Sequence, residues 1–120
     1  MKIAVTSKGP AQTSPVDERF GRAPYFVVHD TESGSYEAVD NSAGRGAAQG
    51  AGIQSAQRIA ETGAAVLISG HCGPKAFEAL SAAGVVVMTG ARGTVEEAIQ
   101  QYREEKLQRA GGPDVAGHWS

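Results

Sequence analysis

Residues 2–6 (KIAVT) open the chain with a short β-rich run, and residues 25–30 (YFVVHD) and 36–41 (YEAVDN) read as two further strands. The linker between the last two, residues 31–35, holds Glu-Ser-Gly-Ser, a hairpin turn, so those strands are expected to be antiparallel neighbours. The hydrophobic period then lengthens. Ile53, Ala56, Ile59 and Ala60 recur at helical spacing, and Gly63 closes that helix. Residues 64–69 (AAVLIS) are a continuous apolar strand of the kind buried on both faces. Pro74 suits the first position of a second helix, with Ala76, Phe77, Leu80 and Ala83 inward and Gly84 at its end. Residues 85–89 (VVVMT) form another buried strand. Thr94 and Glu97 make a capping box for a third helix, whose Val95, Ala98, Ile99 and Tyr102 face inward.

The order is therefore β-β-β-α-β-α-β-α. Strands joined through helices run parallel with right-handed crossovers. The expected fold is α/β: a three-layer domain with a mixed five-stranded sheet and ribonuclease-H-like connectivity. Residues 1–107 form its single domain. Residues 108–120, with Gly-Gly-Pro and no periodicity, are expected to be a flexible C-terminal tail.

Glycine is the compositional outlier, at 16 of 120 residues, about twice average usage. Most of the excess falls in three loops: residues 41–52 (NSAGRGAAQGAG), 70–74 (GHCGP) and 90–94 (GARGT). Each runs into a predicted helix, and helix N-termini carry unpaired N–H groups and partial positive charge. Topology places the loops after the first, fourth and fifth strands at one sheet edge, where open α/β sheets bind ligands. The result is a pocket for a compact anion with almost no carboxylate. Arg45 and Arg92 would supply charge, and Gly46, Gly73 and Gly93 backbone donors. His71 and Cys72 are the candidate metal or sulfur contacts, since both suit soft or borderline metals. The alternative is that Cys72 is a small buried hydrophobe and His71 a turn residue. In the dense run DERFGRAP, residues 17–24, Arg19 and Arg22 reach the pocket mouth or else belong to a salt-bridged turn with Phe20 packed beneath.

Several function classes are excluded on chemistry. A net charge of −2 offers no basic stripe for nucleic acid and no polybasic membrane surface. A closed zinc site lacks its ligands, a Cys-phosphate loop lacks an Arg shortly after Cys72, and a magnesium nuclease lacks acids on the central strands. One cysteine and an N-terminus that enters a strand at once, without a signal-peptide layout, point to a cytoplasmic protein.

Residues 1–6, 16–26 (VDERFGRAPYF), 50–56 (GAGIQSA), 63–76 (GAAVLISGHCGPKA), 84–87 and 90–99 (GARGTVEEAI) together resemble the dinitrogenase iron–molybdenum cofactor biosynthesis family. The resemblance runs to Leu107. It implies a ribonuclease-H-like fold and a carrier or storage role, without catalysis, for molybdenum- or iron-containing sulfide clusters or their precursors. The chain looks closer to a small stand-alone branch from sulfate-reducing bacteria. That branch holds a mixed molybdenum–copper sulfide cluster non-covalently and is linked to cell division and to ATPases of the Mrp/MinD type. The cargo so implied is a Mo–Cu sulfide cluster or a precursor of the iron–molybdenum cofactor. Two other readings stand beside the carrier: a regulatory domain binding a partner ATPase in a cell-division or cofactor-assembly complex, and a small enzyme acting on an organic phosphate. A monomer or a weak homodimer through strand 36–41 is expected.

Overall fold

The structure, a computed structural model, describes residues 1–41 and 51–110. Its elements are β1 (Lys2–Ser7), β2 (Tyr25–Asp30), β3 (Tyr36–Asp40), α1 (Ala51–Thr62), β4 (Val66–Ile68), α2 (Pro74–Ala82), β5 (Val86–Thr89), α3 (Val95–Arg103) and β6 (Gln108–Arg109). They build one sheet of order β3-β2-β1-β4-β5-β6. β1, β4 and β5 are parallel neighbours, and the β2–β3 hairpin extends the β1 edge antiparallel. Among the described residues, no helix is long and apolar enough to cross a membrane.

The sheet has six strands, not the five expected. β6 pairs antiparallel with β5 through Met88↔Arg109 and Thr89↔Gln108, and the Ala110 amide donates to the Val87 carbonyl at 2.9 Å. Its two residues are exposed and show no apolar alternation, so nothing in the pattern marks them. The reversal that leads there is equally silent. Glu105 takes the left-handed conformation at φ 58°, and the Lys106 amide reaches back to the Gln101 carbonyl at 2.9 Å. This closing geometry usually carries glycine.

Three layers form because strand side chains alternate between faces. Ala4, Phe26, Leu67 and Val87 point to α1 and α2, where Ala56, Ile59, Ala76 and Leu80 meet them. Ile3, Val5, Val27 and Ile68 point the other way, to Val95, Ala98 and Ile99 of α3. The apolar spacing located α1, but Ile53 and Ala60 are exposed; Ser55 is buried in their place.

Ser55 belongs to a buried polar clasp. Its hydroxyl donates to Asn41 Oδ1 at 3.1 Å, while Asn41 Nδ2 donates to the Ala23 carbonyl at 2.8 Å. The Asn41 amide also reaches the Pro24 carbonyl at 3.0 Å. The end of β3, the start of β2 and α1 are thereby fixed to one another.

A second clasp holds the long connection from β1 to β2. Thr6 Oγ1 donates to the Asp17 carbonyl at 2.6 Å, and the Asp17 amide donates to the Thr6 carbonyl at 2.9 Å. The Asp17 carboxylate, itself buried, accepts from the Arg19 amide at 2.9 Å and from the Arg19 guanidinium at 3.3 Å. Phe20 is packed under this turn against Phe26, ring centroids 5.6 Å apart. Burial pushes the Asp17 carboxyl up, but the Arg19 hydrogen bonds and the nearby Arg19 and Lys8 charges outweigh it, and the net shift is downward.

Two outcomes follow from these clasps. Asn41→Ala leaves the Ser55 hydroxyl and the Ala23 carbonyl buried without their partner, and should cost about 2–4 kcal/mol in urea unfolding. Asp17 is lowered in the folded state, so the unfolded chain binds its proton first. The stability that Asp17 contributes is complete above the ordinary aspartate range and is lost as pH falls through the lower folded value. Asp17→Asn should therefore lower the urea midpoint at pH 7, with the gap to wild type narrowing at pH 3. A constant gap across that range would refute the assignment.

Candidate functional site

The carboxyl ends of β1, β4 and β5 reach one edge, and the loops that leave them are bonded together there. The Val16 amide donates to the Gly93 carbonyl at 2.9 Å, the His71 amide to the Glu18 carbonyl at 2.7 Å, and the Phe20 amide to the His71 carbonyl at 3.2 Å. Gly70 is required by this approach. A Cβ at that position would stand 2.7 Å from the Glu18 carbonyl oxygen. Backbone contact of this kind has no room for a side chain.

Two adjoining depressions result, with His71 on the wall of both. One, of about 370 Å³, is bounded by Glu18, Gly90 and Arg92. The other, of about 390 Å³, is more apolar, with Phe20, Ile53 and Pro74 on its walls and Lys75 at its side. The Arg92 backbone is fixed by Gln101, which accepts from its amide at 3.1 Å and donates to its carbonyl at 2.8 Å. The guanidinium itself is exposed, and among the described residues no hydrogen bond or ion pair is made by it.

The helix N-termini at this edge differ from the expectation that each offers free donors. That of α3 is closed. Thr94 and Glu97 complete their capping box, the Val95 amide donates to the Ser14 carbonyl at 3.0 Å, and the Glu96 amide to the Gln12 carbonyl at 2.9 Å. Gly93 at φ 88° lets the chain enter that cap, and its carbonyl serves Val16. It is a structural hinge of the pocket wall. The α2 N-terminus is open. Gly73 caps it in extended conformation with no side-chain hydrogen bond, and Pro74 brings no N–H. The first turn beyond Pro74 therefore borders the apolar depression without a side-chain cap among the described residues. The α1 N-terminus abuts the same space. A Cβ on Gly52 would lie 3.0 Å from Ala76 Cβ, so these two helix ends pack closely.

The structure thus brings His71, Gly73, Arg92 and Gly93 to one edge, as expected. Cys72 is placed otherwise: it is only 2 % exposed, packed in the core with Phe20, Phe26 and Ala76, and borders neither depression. Strand and loop alternation turns it inward between His71 and Gly73, which stay at the surface. Met88, at the end of β5, lies on the α3 face beside Tyr102. Arg45 and Gly46 lie outside the described residues. Glu18 and Lys75 were missed. Glu18 is the one acidic residue among the described residues that line the two depressions, where almost no carboxylate was expected. The acidic–basic run containing it pointed to its arginines; only the 2.7 Å backbone contact with His71 shows that Glu18 is the wall residue.

Among the described residues there is no group of three or more His, Cys, Asp or Glu that could hold a bare metal ion. The arrangement suits a compact anion instead. An exposed guanidinium on a clamped backbone lies on one side of His71 and an uncapped helix N-terminus on the other, with apolar surface beside them.

The chain is 46% identical to the orange protein of Desulfovibrio gigas, whose apo form superposes with a TM-score of 0.91 over 94% of this chain and 95% of that one. A Thermotoga protein of the DUF35 family is 39% identical, with a TM-score of 0.84 over 97% and 98% of the two chains. An uncharacterized protein of Methanocaldococcus jannaschii is 30% identical over 112 residues, 91% of each chain. The family profile for the dinitrogenase iron–molybdenum cofactor matches residues 1–105. This chain belongs to that family.

Proposed function

We propose that this protein is a non-catalytic carrier of an anionic, molybdenum-containing metal–sulfide cluster, held largely without covalent bonds. Membership of the cofactor family and the likeness to the orange protein support the coarser statement, a small cluster-binding protein. The observation that carries the finer one is the pairing around His71 of the Arg92 guanidinium with the open N-terminus of α2.

A thiomolybdate-type cluster is compact, polyanionic and faced with soft sulfur. Its charge would be met by Arg92, Lys75 and the α2 dipole. Its sulfur faces would lie on Phe20, Ile53 and Pro74. His71, exposed on the wall of both depressions, would touch a metal atom of the cluster directly. Cluster metals would be Mo–Cu or Fe–Mo, and delivery would run through a partner such as an Mrp/MinD-type ATPase or a cofactor-assembly protein.

The test is reconstitution of the apo-protein with tetrathiomolybdate, with and without copper, followed by desalting. Retained colour at fixed metal stoichiometry is the expected result; colour lost with every molybdenum and iron precursor contradicts the carrier reading and favours a docking domain. Arg92→Ala should weaken retention about five- to tenfold, as expected for one exposed charge-assisted hydrogen bond. Thr94→Ala removes a cap that faces no ligand. It should cost about 1 kcal/mol of stability and leave affinity unchanged.

A further inference from the structure

Glu18 is the acidic member of a site otherwise built to attract negative charge. Arg92 lines the polar depression with it, Lys75 lines the adjoining one, and the open N-terminus of α2 adds partial positive charge. A carboxylate in this place opposes the anion that the other groups attract.

Its position is set by the main chain. The Glu18 carbonyl accepts from the His71 amide at 2.7 Å. A Cβ on Gly70 would stand 2.8 Å from Glu18 Cα and 2.9 Å from Glu18 Cβ, so the root of the Glu18 side chain takes the space that a side chain on Gly70 would need. Gly70 and Glu18 line the polar depression together, with His71 and Arg92. The charges on either side of Glu18 in the sequence are paired with each other, Arg19 with Asp17 at 3.3 Å. Glu18 itself is exposed, and among the described residues its carboxylate makes no hydrogen bond or ion pair. Its charge therefore acts on whatever enters the depression.

Resting on the carrier reading, we propose that Glu18 is a specificity-determining residue of this site. Its carboxylate offsets part of the pull of Arg92, Lys75 and the α2 dipole, and so lowers the preference for the more highly charged of two thiometallates of one size and shape. Coulomb repulsion scales with the charge of the ligand, whereas contact of sulfur with Phe20, Ile53 and Pro74 does not. A site held less by charge selects more by contact, which puts hard oxyanions, bound by charge alone, at a disadvantage.

Tetrathiomolybdate and tetrathiorhenate test this. Both are tetrahedral and faced with sulfur, but the first is a dianion and the second a monoanion. Each is titrated spectroscopically into wild type and into Glu18→Gln, which keeps the size of the side chain and removes its charge. The variant should bind tetrathiorhenate about twofold more tightly and tetrathiomolybdate about fourfold, the square of that factor. Added salt should shrink both gains. Glu37→Gln, on edge strand β3, removes the same charge from the net but lines neither depression, and should leave both affinities near wild type. If wild type retains tetrathiomolybdate and Glu18→Gln binds both anions no more tightly, or tightens both by one factor, the inference is overturned and the carrier reading stands. An equal gain in Glu37→Gln makes the effect one of net charge and also overturns it. If wild type itself binds neither anion, both fall.

Discussion

Every backbone amide brought to the carboxyl edge of the sheet must find an acceptor, and where those acceptors come from decides what the edge can bind. The connection from β1 to β2 crosses this edge and spends its carbonyls there. Gln12 and Ser14 serve the first turn of α3, and Glu18 serves His71. α3 is consequently sealed by protein, while α2, with glycine at its cap and proline at its first position, has no side-chain cap among the described residues. The ligand site is what remains after this allocation. The two clasps, Asn41 with Ser55 and Asp17 with Arg19 and Thr6, hold the geometry in place from either side.

The same allocation separates binding from folding within the site. Gly70 and Gly93 are demanded by close approach and by positive φ, and substituting them would damage the wall. Arg92 is the reverse case: its backbone is clamped by Gln101, and its side chain is released to solvent. Charge can be presented from a rigid base at little entropic cost. His71 combines both, with its amide and carbonyl engaged by the Glu18–Phe20 segment and its ring exposed.

Much of this was legible in the sequence, because the signals were local and strong. The β-rich runs of β1 and β2, the capping box at Thr94 and the glycines at 63 and 84 each specify their own element. The convergence of the loops followed from parallel topology alone. What escaped was non-local. β6 is held by backbone pairing without any apolar pattern. The sealing of α3 depends on carbonyls some 80 residues away, so a helix start that looked like an anion site is already filled. Cys72 offered attractive chemistry in a dipeptide, yet the alternation that exposes His71 sends the next side chain inward. Glu18 reached the wall through a main-chain contact that no side-chain pattern encodes.

The asymmetry between the two helix ends is the centre of this account, and amide NMR tests it directly. Titrating tetrathiomolybdate into uniformly 15N-labelled protein should move the amide signals of Gly73, Lys75 and Ala76 in saturable fashion and leave those of Val95 and Glu96 near their starting positions. Large shifts at Val95 and Glu96 with a still α2 N-terminus would contradict it.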